Sequence, residues 1–261
     1  TRRTHNHAFN NGRALLFGGL ALGNKALASL AEAIIRERLP RLVTGDGFLN
    51  EGSSHYQFLF TRWVLECLCL ALHHGNQQLA SFLSPFCQRL LQGCEFFLVK
   101  KSDVSFQIPL FGDVSPDFTP AWLIDLTRAN LIAIRGPNRG PKQGWAALWE
   151  DTSPILKEPK SSVCDQGIHC FPKSYWYRVN YEDWSCFLHC EPGGGRSVTH
   201  AHPDACSFVA YWRGVEILTD PGRLGYLAEN PVHLEGLMPQ AHNSILIDGL
   251  APIASSRFAN G

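Results

Sequence analysis

The chain has 261 residues, enough for one large domain or two modest ones. With 45% hydrophobic and 18% charged residues it can bury a core, which excludes wholesale disorder. Its 23 basic and 23 acidic residues cancel, so no global field favours nucleic acid or a membrane surface, and an acidic partner needs a local basic site.

The chain opens on Thr1-Arg2-Arg3-Thr4-His5-Asn6-His7, without an initiator Met or a signal peptide, as expected of a fragment or a processed chain. Residues 8 to about 150 read as helices. Asn24 to Leu39 carries Leu27, Leu30, Ala31, Ile34 and Ile35 at helical spacing and is closed by Pro40. Ser53 to His74 is a second helix, ended by Gly75, and Asn76 to Val99 a third, with a break or kink at Pro85. Ala121 to Ile134 and Gly144 to Glu150 are a fourth and a fifth. No apolar run reaches the ~20 residues of a membrane span; the stretch from Trp63 to Leu72 is interrupted by Glu66. Helix pairs joined by Gly/Pro/Asp loops suit a helical toroid or solenoid.

A linker rich in Pro, Lys and Ser runs from about Asp151 to Ser174, and the hydrophobic period then changes. Tyr175–Tyr181 and Trp184–Cys190 are β-rich runs divided by Glu182-Asp183. Ser207–Trp212 and Val215–Thr219 flank Arg213-Gly214 as a hairpin, and Ser244–Asp248 with Gly249 is a further strand and turn. Helices followed by strands, rather than alternating with them, argue against a doubly wound sheet and for an antiparallel sandwich. The expected fold is an N-terminal (α/α) helical toroid portion over 1–155 and a C-terminal antiparallel β-sandwich portion over 156–261.

The nine Cys are an odd number without a CxxC pair, which argues against a small disulfide scaffold and a Cys-based zinc site. Cys67, Cys69, Cys87 and Cys94 sit in apolar helical text as small hydrophobes. Their abundance leans weakly towards a reducing, cytoplasmic compartment.

Three clusters carry chemistry. In Thr199-His200-Ala201-His202-Pro203-Asp204, two His at i and i+2 on a strand share a face. If Asp220 of Asp220-Pro221-Gly222 ends the next hairpin strand, it can lie beside His202, and His242 would complete a His/Asp/His set that suits zinc. The bland alternative is a set of hydrogen-bonded loop residues. In Glu51-Gly-Ser-Ser-His-Tyr56, Ser53 or Ser54 can cap a helix, and the dipole of its first turn would stabilise a Tyr56 phenolate; the alternative is an aromatic anchor. In His5-Asn6-His7, amide and imidazolium can donate to a carboxylate, unless the segment is only polar decoration.

Asn6-His7 before a helix, Glu51–Tyr56 opening another, His200-x-His202-x-Asp204-x-x-Ser207-Phe208 with Asp220-Pro221-Gly222, and Ala241-His242-Asn243-Ser-Ile-Leu-Ile-Asp248-Gly249 together resemble the heparinase II/III-like polysaccharide lyases. The motifs run in family order from residue 6 to 249. Departures are Ala201 and Pro203, where the family often has Gly and Ala, and the lack of further helices before Asn6 and of a longer sandwich after residue 249.

The resemblance implies cleavage of an acidic, uronate-containing polysaccharide or oligosaccharide by β-elimination. Asn6 and His7 would neutralise the carboxylate, Tyr56 would be the acid or both acid and base, and His200 its partner. Glu51, His55 and Arg223 are the candidate substrate-binding residues. His202, Asp220 and His242 would hold a structural zinc; no organic cofactor, nucleic acid or membrane span is expected. Family resemblance favours a periplasmic or secreted location. Two rivals remain open. One is a non-haem iron oxygenase using His202, Asp204 and His242. The other is a non-catalytic glycan-binding or biosynthetic accessory protein of the same fold, stacking sugars on Trp63, Trp122, Trp176 or Trp212.

Overall fold

The structure, a computed structural model, describes residues 6–102, 105–114, 165–191, 200, 202, 206–223, 225 and 230–249. They divide into two compact units that interleave along the chain. One holds 6–50 and 57–94; the other holds 51–56, 95–114 and the described residues from 165 onward.

The first unit is helical. It contains α1 (Asn6–Ala21), α2 (Lys25–Leu42), and most of α3 (Ser54–His73) and α4 (Gln77–Phe97). Asn24 caps α2 by accepting from the amides of Ala26 and Leu27 at 3.1 and 3.2 Å, and Asn76 caps α4 by accepting from Leu79 at 3.0 Å. Phe9 packs on Phe60, and Cys67, Cys69, Cys87 and Cys94 are buried as the hydrophobes they resemble in sequence. Glu66, which interrupts the apolar run of α3, is buried and ion-paired to Arg13 and to Arg62, the latter at 2.7 Å. Among the described residues no helix is long and apolar enough to cross a membrane.

The two prolines do less than expected. α2 runs through Pro40 to Leu42 rather than stopping there, and α4 passes Pro85 unbroken. A proline in the interior removes one backbone donor. In α2 that loss falls in the last turn, and the Val43 amide still closes the helix onto Leu39 O at 3.2 Å. The helices expected at 121–134 and 144–150 lie outside the described residues.

The second unit is built on strands. β1 (Val99–Ser102) and β2 (Ser105–Gln107) pair antiparallel. This corrects the helical reading of 8–150 at 99–107. β3 (Gly167–Phe171), β4 (Trp176–Tyr181), β5 (Trp184–His189), β6 (Ser207–Trp212) and β7 (Val215–Leu218) form one antiparallel sheet in chain order. β3 lies in the segment read as linker; β4 to β7 fall where the β-rich runs are. The β6–β7 turn places Arg213 and Gly214 at φ 51° and 75°, the left-handed pair a tight hairpin requires. Ser244–Asp248 is not a strand. Only Ile247 makes an isolated bridge, although the turn at Asp248-Gly249 is present. The chain meets the sheet there through one residue instead. The Asn243 amide group donates to Phe208 O and Thr219 O at 3.0 and 2.8 Å, and the Phe208 N–H donates to Asn243 O at 3.3 Å.

One face of the sheet is buried. Register aligns Trp176, His189 and Ser207, and next to them Arg178, Phe187 and Val209. Phe96 packs edge-on against Phe171 and Phe187, and Phe97 and Phe111 against Trp176. Arg178 is buried at the centre: its guanidinium donates to Phe96 O at 2.9 Å, Leu98 O at 3.0 Å and Asn180 Oδ1 at 2.9 Å, and lies over the Phe187 ring.

His189 stacks on Trp176 with ring centroids 4.0 Å apart. Burial pulls its pKa down from 6.5 to about 4. A depressed folded-state pKa means that its contribution is intact above pH 6.5 and is lost as pH falls towards 4, because the unfolded chain takes up the proton first. The loss is up to about 3 kcal/mol. We expect wild type to lose thermal stability across this window more steeply than His189→Gln. Parallel melting curves for the two from pH 7 to 4 would refute the assignment.

Candidate active site and metal centre

The start of α3 is anchored by a loop that follows β2. Ser53 accepts from the Tyr56 amide at 3.1 Å, as a helix cap does, and its hydroxyl donates to Asp113 O at 2.7 Å. The Ser54 hydroxyl donates to Pro109 O at 2.6 Å and accepts from the Phe111 amide at 3.0 Å. Gly112, at φ 70°, lies where a Cβ would collide with the carbonyls of His200 and Gly52. Residues 51–55 are buried by this packing, whereas Tyr56 is half-buried. The Tyr56 ring stacks on His200 at 3.8 Å with 18° between planes.

His200 is held from several directions. Its amide donates to Glu51 O at 3.2 Å, and its carbonyl accepts from the Asp113 amide at 2.7 Å. Nδ1 lies 2.9 Å from Asp113 Oδ2, and Nε2 lies 3.6 Å from Glu51 Oε2. If Nδ1 donates to the carboxylate, Nε2 is left as the basic nitrogen.

Asp113 is the hub of the cluster. Besides His200 it meets His202 Nε2 at 3.0 Å and the Arg223 guanidinium at 3.0 and 3.2 Å. Burial opposes its ionisation. Hydrogen bonds from His200 and His202 and the Arg223 charge outweigh that, and hold the carboxyl well below the usual carboxylate range. Nothing in the sequence alone singles this residue out. Its only local signal is an Asp after a Gly in a Pro109-Leu-Phe-Gly-Asp113 turn, which is ordinary loop chemistry.

Beside the hub, His202, Asp220 and His242 converge, all buried, with potential ligand atoms within 4.8 Å of one another. Asp220 is oriented by its neighbours. Oδ1 accepts from the Gly222 amide at 2.9 Å, and Oδ2 accepts from the Ser207 hydroxyl at 3.2 Å and lies 2.8 Å from His242 Nδ1. His202 Nδ1 is buried with no hydrogen-bond partner among the described residues. Two imidazoles and a carboxylate, with His202 Nδ1 turned to no protein partner among the described residues, are a donor set that fits zinc. Asp113 on the far nitrogen of His202 matches the carboxylate that commonly orients a metal-binding His. The alternative ligand of the oxygenase reading, Asp204, lies outside the described residues, while Asp220 faces the two His.

The other expected site residues are distributed as follows. Asn6 is buried at the first position of α1 and His7 is exposed next to it, both in the helical unit. His55 is fully buried with its ring edge towards Tyr56, and Glu51 is buried behind His200. Arg223 is half-buried on Asp113. Of the tryptophans considered for sugar stacking, Trp176 is core, Trp63 is half-buried, Trp212 is exposed under the Arg213 guanidinium, and Trp122 lies outside the described residues.

Residues 165–260 match the family model described as heparinase II/III-like, C-terminal. Over those residues the chain is similar to the heparinase II/III-like C-terminal domain. No curated protein sequence matches the chain. Among solved structures it is similar to heparinase III, the BT4657 gene product, at 17% identity and TM-score 0.68, covering 95% of this chain and 38% of that one. A second structure titled heparinase III gives 16% identity, TM-score 0.68, and 93% and 39% coverage. Heparan sulfate lyase HepC from Pedobacter heparinus gives 14% identity, TM-score 0.65, and 95% and 38% coverage. At these identities the likeness is one of fold, and the chain spans about two fifths of each structure. The family resemblance carried by the motifs is thereby borne out, as is the order of helices followed by an antiparallel sheet.

Proposed function

We propose that this heparinase II/III-like chain is part of a polysaccharide lyase that cleaves a uronate-containing glycan by β-elimination. The observation that carries this reading is the half-buried Tyr56 ring stacked on His200, whose Nδ1 is tied to Asp113. β-Elimination needs a proton taken from C5, a proton given to the departing O4, and neutralisation of the adjacent carboxylate so that negative charge can develop. Tyr56 gives the O4 proton, and takes the C5 proton where the sugar's stereochemistry puts both on one side. His200 Nε2 is the partner base, with Glu51 Oε2 3.6 Å from it. Arg223, with the His200 and His202 hydrogen bonds, keeps Asp113 ionised and so holds His200 in place. Asn6 and His7 are assigned to carboxylate neutralisation on the motif alone. On the same family likeness, the helices are part of an (α/α) toroid, the sheet is one layer of a β-sandwich, and the protein acts in the periplasm or outside the cell.

His202, Asp220 and His242 would hold zinc, which supplies a fixed centre that braces three separate segments of the sheet unit. Metal analysis of the full-length protein should give about one zinc per chain, lost in His202→Ala and Asp220→Ala. Chelation should lower the melting temperature of wild type but not of those variants. A metal-free wild type whose melting is indifferent to chelator and to added zinc would overturn the assignment. For the activity, the full-length protein is incubated with a panel of uronate polymers while the ultraviolet absorbance of the 4,5-unsaturated product is followed. Absence of that product from every uronate polymer would sink the lyase reading.

A further inference from the structure

Two cysteines outside the proposed chemistry sit at one end of the sheet. Cys190 follows the last residue of β5, and Cys206 precedes the first residue of β6. The ladder pairs His189 with Ser207, so one step further brings Cys190 opposite Cys206. The hydrogen bonds fix which kind of pair this is. The Cys190 amide donates to Tyr175 O at 3.0 Å, on the β4 side and away from β6. Phe208 likewise turns its amide and carbonyl towards Asn243, away from β5. Since the pattern alternates, Leu188–Phe208 and Cys190–Cys206 are non-hydrogen-bonded positions. Such pairs bring Cα atoms to about 4.5 Å, inside the roughly 4.4–6.8 Å range that a disulfide spans. The backbone turns out of the ladder at Cys206, at φ 59°, and Cys206 remains a neighbour whose charge acts on the Cys190 thiol. Cys206 is exposed and Cys190 is half-buried, whereas Cys67, Cys69, Cys87 and Cys94 are buried.

We propose that Cys190 and Cys206 are a redox-sensitive pair that closes into a disulfide and pins both ends of segment 191–205, which carries His200 and His202. The oxidant is a small organic disulfide such as oxidised glutathione. The exposed Cys206 thiolate attacks one of its sulfurs, forming a mixed disulfide and releasing one small thiolate. Cys190, deprotonated, then attacks Cys206 Sγ, forming the internal S–S bond and releasing the second small thiolate. The two protons lost by the protein end on the two small thiols; the protein loses two electrons and the small disulfide gains them. Burial and the neighbouring sulfur push the Cys190 thiol up to about 11, which assigns the first attack to Cys206. Cross-linking a loop of this length lowers the entropy of the unfolded chain, so the folded state gains.

Full-length protein is treated with oxidised glutathione and mapped by non-reducing peptide mass spectrometry, with melting temperature measured in parallel. The expected result is a Cys190–Cys206 linked peptide, with melting raised by about 5–10 °C and reversed by dithiothreitol. Exposed Cys170 should carry only a glutathione adduct. Cys190→Ser should leave Cys206 as a stable glutathione adduct, without the rise in melting. Because reduced wild type and reduced variant are compared first, a variant that folds poorly is recognised, and the wild-type peptide map decides by itself. Wild type in which Cys206 carries glutathione and Cys190 stays free overturns the proposal, as does a bridged protein with unchanged melting.

Discussion

Tyr56→Phe is expected to keep the fold and lose turnover on a uronate substrate by roughly 10²–10⁴-fold, the usual scale for a general acid or base. The substitution removes only the hydroxyl. The Ser53 cap on the Tyr56 amide, at 3.1 Å, and the ring stack on His200, at 3.8 Å, involve backbone and ring and survive. Melting should therefore stay within the small range typical of a half-buried site. Asn6→Ala should also slow turnover, through weaker charge stabilisation. A Tyr56→Phe protein as active as wild type, with unchanged melting, would remove the proposed acid–base role and leave the family assignment standing.

Arg178→Ala is expected to have the largest effect on stability. Arg178 is almost wholly buried, and the carbonyls of Phe96 and Leu98 accept from it. Truncation strands both carbonyls away from water, at about 1–3 kcal/mol each, and opens a cavity beneath Phe187. A total of about 3–5 kcal/mol follows, near the top of the range for single substitutions. Melting should fall by about 10 °C. Arg178→Lys should recover only part of this, because an ammonium lacks the planar fork that reaches Asn180 and both carbonyls at once. Denaturant unfolding of the three proteins provides the measurement. An Arg178→Ala loss under 1 kcal/mol would mean that these hydrogen bonds contribute little.

Much of the candidate site was legible because its parts are local. Ser53 before an apolar helical run marks a helix start, and Tyr56 then falls in the first turn. His200-x-His202, Asp220-Pro221-Gly222 and Ala241-His242-Asn243 sit at the ends of β runs, and the hairpin at Arg213-Gly214 follows from turn chemistry. What was hidden depends on distant partners. Asp113 has no periodic context; its role exists only because residues 200, 202 and 223 fold onto it. β1, with Lys100-Lys101-Ser102, is a short polar strand that no hydrophobic alternation announces. β3 is mostly exposed along its length, so its residues read like the linker around them. Pro40 and Pro85 are negative signals that neighbouring helical turns overrode.

The hub around Asp113 has a bearing on how the molecule reaches its native state. Glu51, Tyr56, Asp113 and His200 come from three segments far apart in the chain, and the last leaves the ribosome well after the first. Loop closure over such separations carries a large entropy cost, so these contacts form after local helix. Refolding followed by circular dichroism should thus recover helical signal ahead of the Tyr56–His200 stack. During that interval the chain would have its helices but not yet the geometry of the candidate site. Newly made protein would pass through the same stage, so the lyase activity proposed above would begin only after residues 200, 202 and 223 have been synthesised and have folded onto Asp113.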